Sequence, residues 1–246
     1  MTLAGRHILL TGAARGLGAV IAEALAEAEA RLILSDLLPE EGQAVAARLG
    51  ATFMPADLGD PDSVAALGAS VTELTGGVLH GLVNNGAIAT GIGGIGFEDV
   101  ALETFDAVMR VNIRGLWLMT RAVAPALRAS GTGRIVNVAS DTALWGAPKL
   151  IAYTASKGAV MAMTRSLARE LGPDRVGVTA VAPGILTTAS TAYVPEARHR
   201  LYAEGRAVPG PQAPEEITGA VIFLLGEAAL PLTGQTLPVN NGFTFA

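Results

Sequence analysis

The 246-residue chain carries a net charge of −5, contains no cysteine, and is 50% hydrophobic but only 16% charged, against about 25% charged in average proteins. The negative balance argues against a nucleic-acid partner, which calls for a basic face, and the missing cysteines exclude disulfides, cysteine–metal centres and thiolate catalysis. No apolar run reaches the ~18 residues of a membrane span, and residues 1–6 lead straight into a strand-like stretch with no apolar leader, so a soluble, cytoplasmic protein is expected.

Short β-branched or aliphatic runs recur at 7–11, 32–35, 52–55, 79–84, 134–139, 177–182 and 236–239. Longer alanine-rich stretches with helical spacing separate them. Ile21, Leu25 and Ala28 share one helix face, as do Phe105, Val108, Ile113 and Leu116. The alternation predicts an α/β fold, a doubly wound, mostly parallel seven-stranded sheet with helices on both faces. The apolar excess fits such a strand-rich interior and fits a buried subunit interface equally well. No linker, repeat or low-complexity tract divides residues 1–246, which read as one domain. The region 184–214 is broken by Pro195, Pro209, Pro211 and Pro214 and is longer than ordinary loops, so residues 185–213 are read as a flap over a substrate pocket.

After the first strand comes Thr11-Gly12-Ala13-Ala14-Arg15-Gly16-Leu17-Gly18, opening into a helix. Glycines there let the backbone turn sharply and approach a pyrophosphate at the helix N-terminus. The next strand ends in Asp36, 18 residues beyond Gly18, where a carboxylate accepts the adenosine ribose hydroxyls of a dinucleotide. The competing reading is a cap for the turn at residues 37–39. A carboxylate repels the 2′-phosphate of NADP, so NAD is the expected cofactor. Arg15, beside the turn, pulls the other way.

Tyr153 and Lys157 are four residues apart and share a helix face. An ammonium ~5 Å from a phenol, at an effective dielectric of ~20, is worth ~3 kcal/mol, or roughly two pKa units. That predicts a phenol lowered toward the range in which it exchanges protons with an alcohol or carbonyl oxygen. A core tyrosine followed by a surface lysine gives the same spacing, but this pair lies 13 residues after Ser140, itself at a strand end.

The glycine-rich turn at 11–18, the Asn84-Asn85 pair, Asn112, Ser140, the Tyr153–Lys157 motif and Pro183-Gly184, in this order across the chain, resemble the short-chain dehydrogenase/reductase family in its short single-domain branch. The resemblance implies an NAD-dependent oxidoreductase that interconverts a secondary alcohol and a ketone by hydride transfer. Tyr153 is then the acid/base, Ser140 holds the substrate oxygen, and Lys157 also grips the nicotinamide ribose. Asn112 positions a water in the proton path, unless it is a mid-helix competitor for the backbone. The same resemblance assigns Gly12, Arg15, Gly16, Leu17, Gly18, Asp36, Asp57, Leu58, Asn84, Gly86, Pro183, Gly184, Ile185 and Thr187 (or Thr188) to the cofactor, with Asp57 at the adenine or, alternatively, capping the next helix. Two departures stand out. The family's Asn-Asn-Ala-Gly reads Asn84-Asn85-Gly86-Ala87 here, and an acidic residue followed by two glycines is replaced by Asn240-Asn241-Gly242.

The pocket walls are expected from residues 88–97, 141–148 and the flap. Ile88, Ile92, Ile95, Leu144, Trp145, Leu186 and Tyr193 supply them, with Asp141 the odd charge beside Ser140 and Tyr153. Such a pocket suits a small to medium, largely apolar substrate. No metal site is expected, since His7, His80 and His199 are scattered. The rival readings are a 3-oxoacyl-carrier-protein reductase using NADPH, with Arg128, Arg134 and Arg169 as a basic patch, and a non-catalytic dinucleotide sensor or scaffold. By resemblance, helices near 103–129 and 152–172 pair across a two-fold axis into a homotetramer or homodimer, helped by Ala155, Ala159, Ala162 and Met163.

Overall fold

The computed structural model describes residues 2–245. Seven strands form a parallel sheet in the order β3-β2-β1-β4-β5-β6-β7. In chain order they are β1 (His7–Thr11), β2 (Arg31–Ser35), β3 (Thr52–Phe53), β4 (Gly81–Asn84), β5 (Arg134–Val138), β6 (Gly177–Pro183) and β7 (Thr236–Val239). The helices are α1 (Gly16–Glu27), α2 (Pro39–Leu49), α3 (Pro61–Leu74), α4 (Leu102–Met109), α5 (Leu116–Ala129), α6 (Thr142–Trp145), α7 (Ile151–Leu171), α8 (Glu196–Gly205) and α9 (Glu215–Leu225).

A parallel sheet is covered on both faces, so its strands are apolar at every position rather than at every second one. Ile8 and Leu10 point into a core with Ile21 and Leu25 of α1 and Val221 and Leu224 of α9. Leu9, between them, points the other way, into a second core with Leu67 of α3, Val123 of α5 and Leu171 of α7. Each strand therefore feeds two cores at once. Ile21, Leu25 and Ala28 are buried as their spacing predicts.

The stretch 103–129 is not one regular helix. A π-turn, Arg110–Gly115, joins α4 to α5, and the extra residue rotates the face. Val108 and Leu116 are buried, while Ile113 is only half-buried. Asn112 sits inside this turn, and π-turns recur at functional sites. The proline-broken region after β6 is also more ordered than expected, because residues 196–205 form α8, which starts after Pro195 and buries Tyr202. Among the described residues no helix is long and apolar enough to cross a membrane, and no group of His, Asp and Glu gathers as a metal site would.

Candidate active site

Strand order reverses between β1 and β4, and a cleft of about 510 Å³ opens at the C-terminal ends of the strands there, where doubly wound sheets take their ligands. Gly12 turns with φ +67° and packs on Gly86; a Cβ on Gly12 would come within 2.6 Å of the Gly86 Cα. Asn85 ties the two loops by donating from Nδ2 to the carbonyls of Thr11 and Gly12 at 3.1 and 2.9 Å. Gly86 has no positive φ. Glycine is needed there for close approach, so Ala87 follows without strain and simply lines the cleft. Gly16, Leu17 and Gly18 open α1 toward the cleft, and no side chain caps its first N–H groups.

Asp36 lies on the cleft wall at the end of β2. One carboxylate oxygen accepts from the Ala14 N–H at 2.9 Å, the other from Leu38 N–H at 3.1 Å. The capping reading of Asp36 holds, since it fixes the turn before α2 and the glycine-rich loop, and the carboxylate keeps further acceptor sites on the cleft wall. Arg15 is exposed at the rim. Asp57 and Leu58 line the same end. Asp57 does not cap α3; Asp60 does, accepting from Asp62 N–H at 3.0 Å, while Asp57 accepts from Gly59 N–H at 2.7 Å.

Ser140, Tyr153 and Lys157 come together at the other end of the cleft. The Ser140 hydroxyl accepts from the N–H and the hydroxyl of Thr142, at 3.3 and 3.0 Å. Its own proton has the Pro183 carbonyl at 3.5 Å, a weak partner, and the Tyr153 hydroxyl within hydrogen-bond reach. Lys157, on α7, donates to the Val138 carbonyl at 2.6 Å and stands 5.5 Å from the Tyr153 ring centre. One ammonium proton is so engaged, and two remain for a ligand.

The expectation that Lys157 lowers the Tyr153 pKa is corrected. Burial pushes the phenol up to about 12; the Ser140 hydroxyl opposes this, while Asp141 and Tyr193 push the same way. The ammonium is itself lowered by burial, to about 8. At neutral pH the pair is therefore a neutral phenol beside a cation.

Asn112 is also placed differently from its expected part. Its amide is buried and spent on protein: Oδ1 accepts from Ile88 N–H at 2.8 Å, and Nδ2 donates to the Ile88 carbonyl at 3.0 Å and to Ser156 Oγ at 3.1 Å. The side chain therefore fixes Ile88, which lines the cleft, rather than reaching into it.

Asn84 is corrected too. Its side chain points into the interior, where Nδ2 donates to Asn137 Oδ1 at 2.9 Å and to Thr120 Oγ1 at 3.1 Å. Its neighbour Asn85 lines the cleft instead, because adjacent strand residues face opposite ways. The segment after β6 misleads by the same one-residue step. Pro183, Gly184, Leu186 and Thr188 face the cleft, whereas Ile185 and Thr187 face a separate hollow beside α8.

Several expected pocket residues lie elsewhere. Asp141 is fully buried beneath the cleft. Leu144 packs against the apolar cluster that includes Ala139, Val160 and Met161. Trp145 packs edge-on against Tyr202 and Phe243. Ile92 is buried against Val108 and Ala152, and Ile95 is exposed. Tyr193 sits at the rim, donating from its hydroxyl to the Ala89 carbonyl at 3.1 Å. Of the expected walls Ile88 and Leu186 do line the cleft, together with Ala89 and Thr90 and with Ser140 and Tyr153. Thr188, Ser190 and Thr191 complete the opposite wall; the hydroxyl-rich run 187–191 was the only sequence signal for them.

A doubly wound parallel sheet with a glycine-lined crevice at its reversal, and a serine, tyrosine and lysine at one end of it, defines a nucleotide-linked oxidoreductase architecture. A family model described as enoyl-(acyl carrier protein) reductase matches residues 12–244. The chain is 37% identical over 243 residues to a 3-alpha-(or 20-beta)-hydroxysteroid dehydrogenase of Mycobacterium tuberculosis, covering 98% of this chain and 90% of that protein. It is 32% identical to a 3-oxoacyl-[acyl-carrier-protein] reductase of Aquifex aeolicus, covering 98% of each. A crystallised short-chain type dehydrogenase/reductase from Mycobacterium ulcerans superposes with a TM-score of 0.93 at 26% identity, over 99% of this chain and 91% of that one. The chain belongs to the short-chain dehydrogenase/reductase family, whose members here are oxidoreductases with nicotinamide dinucleotide cofactors.

Two measurements check this placement of side chains. Asn84→Ala leaves the Asn137 and Thr120 oxygens without their donor; urea unfolding should show a loss of about 2 kcal/mol, with the dissociation constant of the reduced nicotinamide dinucleotide unchanged by fluorescence titration. For Lys157 the folded pKa of about 8 lies below the unfolded value near 10.5. The stability it contributes is full above pH 10.5 and lost as pH falls toward 8. Lys157→Met removes that dependence, so its stability relative to the parent should be greater at pH 7 than at pH 10.5 by about 3 kcal/mol. Equal differences at both pH values would contradict a depressed lysine.

Proposed function

We propose that the protein is an NAD(H)-dependent alcohol dehydrogenase/carbonyl reductase acting on a small to medium, largely apolar secondary alcohol or ketone, with Tyr153 as the acid/base. The observation that carries this reading is the single cleft with Asp36 at one end and the Ser140–Tyr153–Lys157 group at the other. The uncapped start of α1 and the bare Gly12–Gly86 contact suit a pyrophosphate, and Asp36 with Asp57 frames the adenosine end. The dinucleotide supplies the hydride donor or acceptor, and its oxidised ring supplies a positive charge that favours the phenolate.

The chain's own residues handle the proton. The neutral phenol of Tyr153 donates its proton to the substrate oxygen in the reducing direction and is reprotonated from solvent; in the other direction it first gives that proton to solvent, and its phenolate then takes the alcohol proton. Ser140 donates its hydroxyl proton to the same oxygen. Lys157, anchored on Val138, offers its remaining protons to the cofactor ribose and keeps a positive charge near the phenol. Asn112 acts at a distance, by holding Ile88 at the cleft wall.

NAD over NADP rests on Asp36. No basic residue bonds its carboxylate, and the adjoining Leu37 is exposed, so a 2′-phosphate there meets a negative charge. The carrier-protein reductase reading draws on the Aquifex relative, but the basic patch it needs is weak. Arg134 is buried, with its guanidinium on the carbonyls of Gly133, Arg175, Gly226 and Glu227. Arg128 is paired with Asp174 at 2.6 Å. An assembly of two or four copies is part of the proposal, supported by the exposed small residues Ala155 and Ala162 on α7 and by half-exposed Trp117 on α5.

Tyr153→Phe should lower kcat by about 10²–10⁴-fold while NADH still binds; retained turnover would sink the acid/base role and revive a non-catalytic reading. Comparison of NADH with NADPH turnover on a panel of ketones should favour NADH strongly. Asp36→Ala should narrow that preference by about tenfold, the weight of 1.4 kcal/mol, and an unaltered ratio would remove Asp36 as the discriminating residue.

A further inference from the structure

Asp141 follows Ser140 directly and is wholly buried, yet no salt bridge meets it. Its carboxylate has two partners, both neutral. Tyr202 of α8 donates its hydroxyl to Oδ1 at 2.8 Å, and Asn240, just after β7, donates from Nδ2 to Oδ2 at 3.1 Å. Its own N–H donates to the Pro183 carbonyl at 3.0 Å, and its carbonyl accepts from Leu144 N–H at 2.8 Å. One residue thus joins the ends of β5, β6 and β7 to the helix of the flap.

Tyr202 is clasped as closely. Its hydroxyl also accepts from Trp145 Nε1 at 3.0 Å, and its ring stacks on Phe243 with centres 4.1 Å apart. Arg206, one turn on, lies 5.5 Å from the ring and donates to the carbonyls of Ile185 and Gly210. Gly184 separates this cluster from the cleft. A Cβ there would meet Asp141 Oδ2 at 2.9 Å and Tyr202 Cε1 at 3.1 Å, while the glycine also lines the cleft. An isolated buried carboxylate is expensive to keep, and here it is kept where α8 meets the floor of the site.

We propose that Asp141, Tyr202 and Asn240 form a latch under the cleft floor that seats α8 on the Ser140 loop, and that Tyr202 and Asp141 are thereby positioning residues for the substrate. The latch lets the segment 186–193, which carries Leu186 and the rim tyrosine Tyr193, close over the substrate end in one register. The amide at 240 is part of the design, because a carboxylate in its place would face Asp141 with like charge. The groups facing Asp141 are Tyr202 and Asn240 in contact and Arg206 and Tyr153 through space. Burial lifts its pKa to about 6, and Tyr202 is pushed above the ordinary phenol value, first by burial and then by Asp141. Above pH 6 the latch is a charged acceptor gripped by a neutral donor.

The substrate half of this proposal rests on the dehydrogenase reading; the latch itself does not. The test combines hydrogen–deuterium exchange of residues 196–205 at pH 7.5 with steady-state kinetics on a panel of secondary alcohols, using Tyr202→Phe, Asp141→Asn and the swap Asp141→Asn with Asn240→Asp. Both single variants should speed exchange in α8 by about tenfold or more, the range of a hydrogen bond to a charged group, with the strands unaffected. They should raise KM for the alcohol by about tenfold while kcat and the NADH dissociation constant stay within about threefold. The swap restores one carboxylate facing one amide and should bring exchange and KM back toward the parent. Unchanged α8 exchange in Tyr202→Phe, exchange raised equally across the sheet, unchanged KM with a loosened α8, or no rescue by the swap would each overturn the proposal. If the parent oxidises none of the alcohols with either dinucleotide, the dehydrogenase reading falls, and the exchange results alone decide the latch.

Discussion

The backbone of Gly12 lies against that of Gly86 with no room for a methyl group between them, and the rest of the site follows from that contact. It forms where β1 and β4 are neighbours but their outgoing chains part, one entering α1 on one face of the sheet and the other running toward α4 on the opposite face. The parting opens the cleft, and the bare contact sets how deep a ligand can sit. Asn85 and Asp36 hold the contact from either side, the first by its bonds to Thr11 and Gly12, the second through Ala14. Asn85 and Asp36, which line the cleft, thus also brace the loops that shape it, while the exposed side chains of Arg15 and Leu37 at the rim do not.

At the other end the governing cost is burial of charge. Lys157 brings an ammonium into the interior with one protein acceptor, and Tyr153 sits beside it as an acid held neutral. The buried ammonium disfavours folding at neutral pH, whereas the phenol, neutral in both states there, does not. Each makes sense with a ligand that arrives carrying hydroxyls for the ammonium and charge for the phenol. On the proposed function a bound dinucleotide would offset this cost, and the sheet itself is held by two apolar cores that do not include these groups.

The strand runs, the glycine-rich turn, Asp36, Ser140, Tyr153 and Lys157 were legible in the sequence because each depends on local chemistry or on periodicity within one element. What was not legible depends on which side of an extended chain faces the cleft. Asn84 and Asn85 differ by one residue and point in opposite directions, as do Thr187 and Thr188, and a period of two turns any slip into a reversal. Asn112 was misjudged for another reason, since the π-turn around it leaves no trace in hydrophobic spacing. Asp141 and Trp145 were placed in the pocket because they follow Ser140, but the short turn of α6 folds both beneath the floor. The spacing of Tyr153 and Lys157 carries the nearby charge but not the desolvation of the phenol, which is the larger effect on its pKa.

The relatives act, by their names, on substrates as unlike as a steroid and a carrier-bound acyl chain, so the sheet ends supply chemistry and something else supplies selection. Here the segment 186–193 is the candidate, and its side chains divide by type. Thr188, Ser190 and Thr191 bond mainly to one another and to the carbonyls of Leu186 and Thr188, which satisfies their hydroxyls within the segment. Leu186 is the apolar side chain of this run that lines the cleft, and the Tyr193 hydroxyl is already spent on Ala89. A polyol would find few unsatisfied partners there and would lose its own hydration without return. On the function proposed above, an alicyclic or aromatic carbon frame would lose little on entry and gain burial, so the internal satisfaction of the hydroxyls supports the apolar-substrate proposal as much as the apolar residues do.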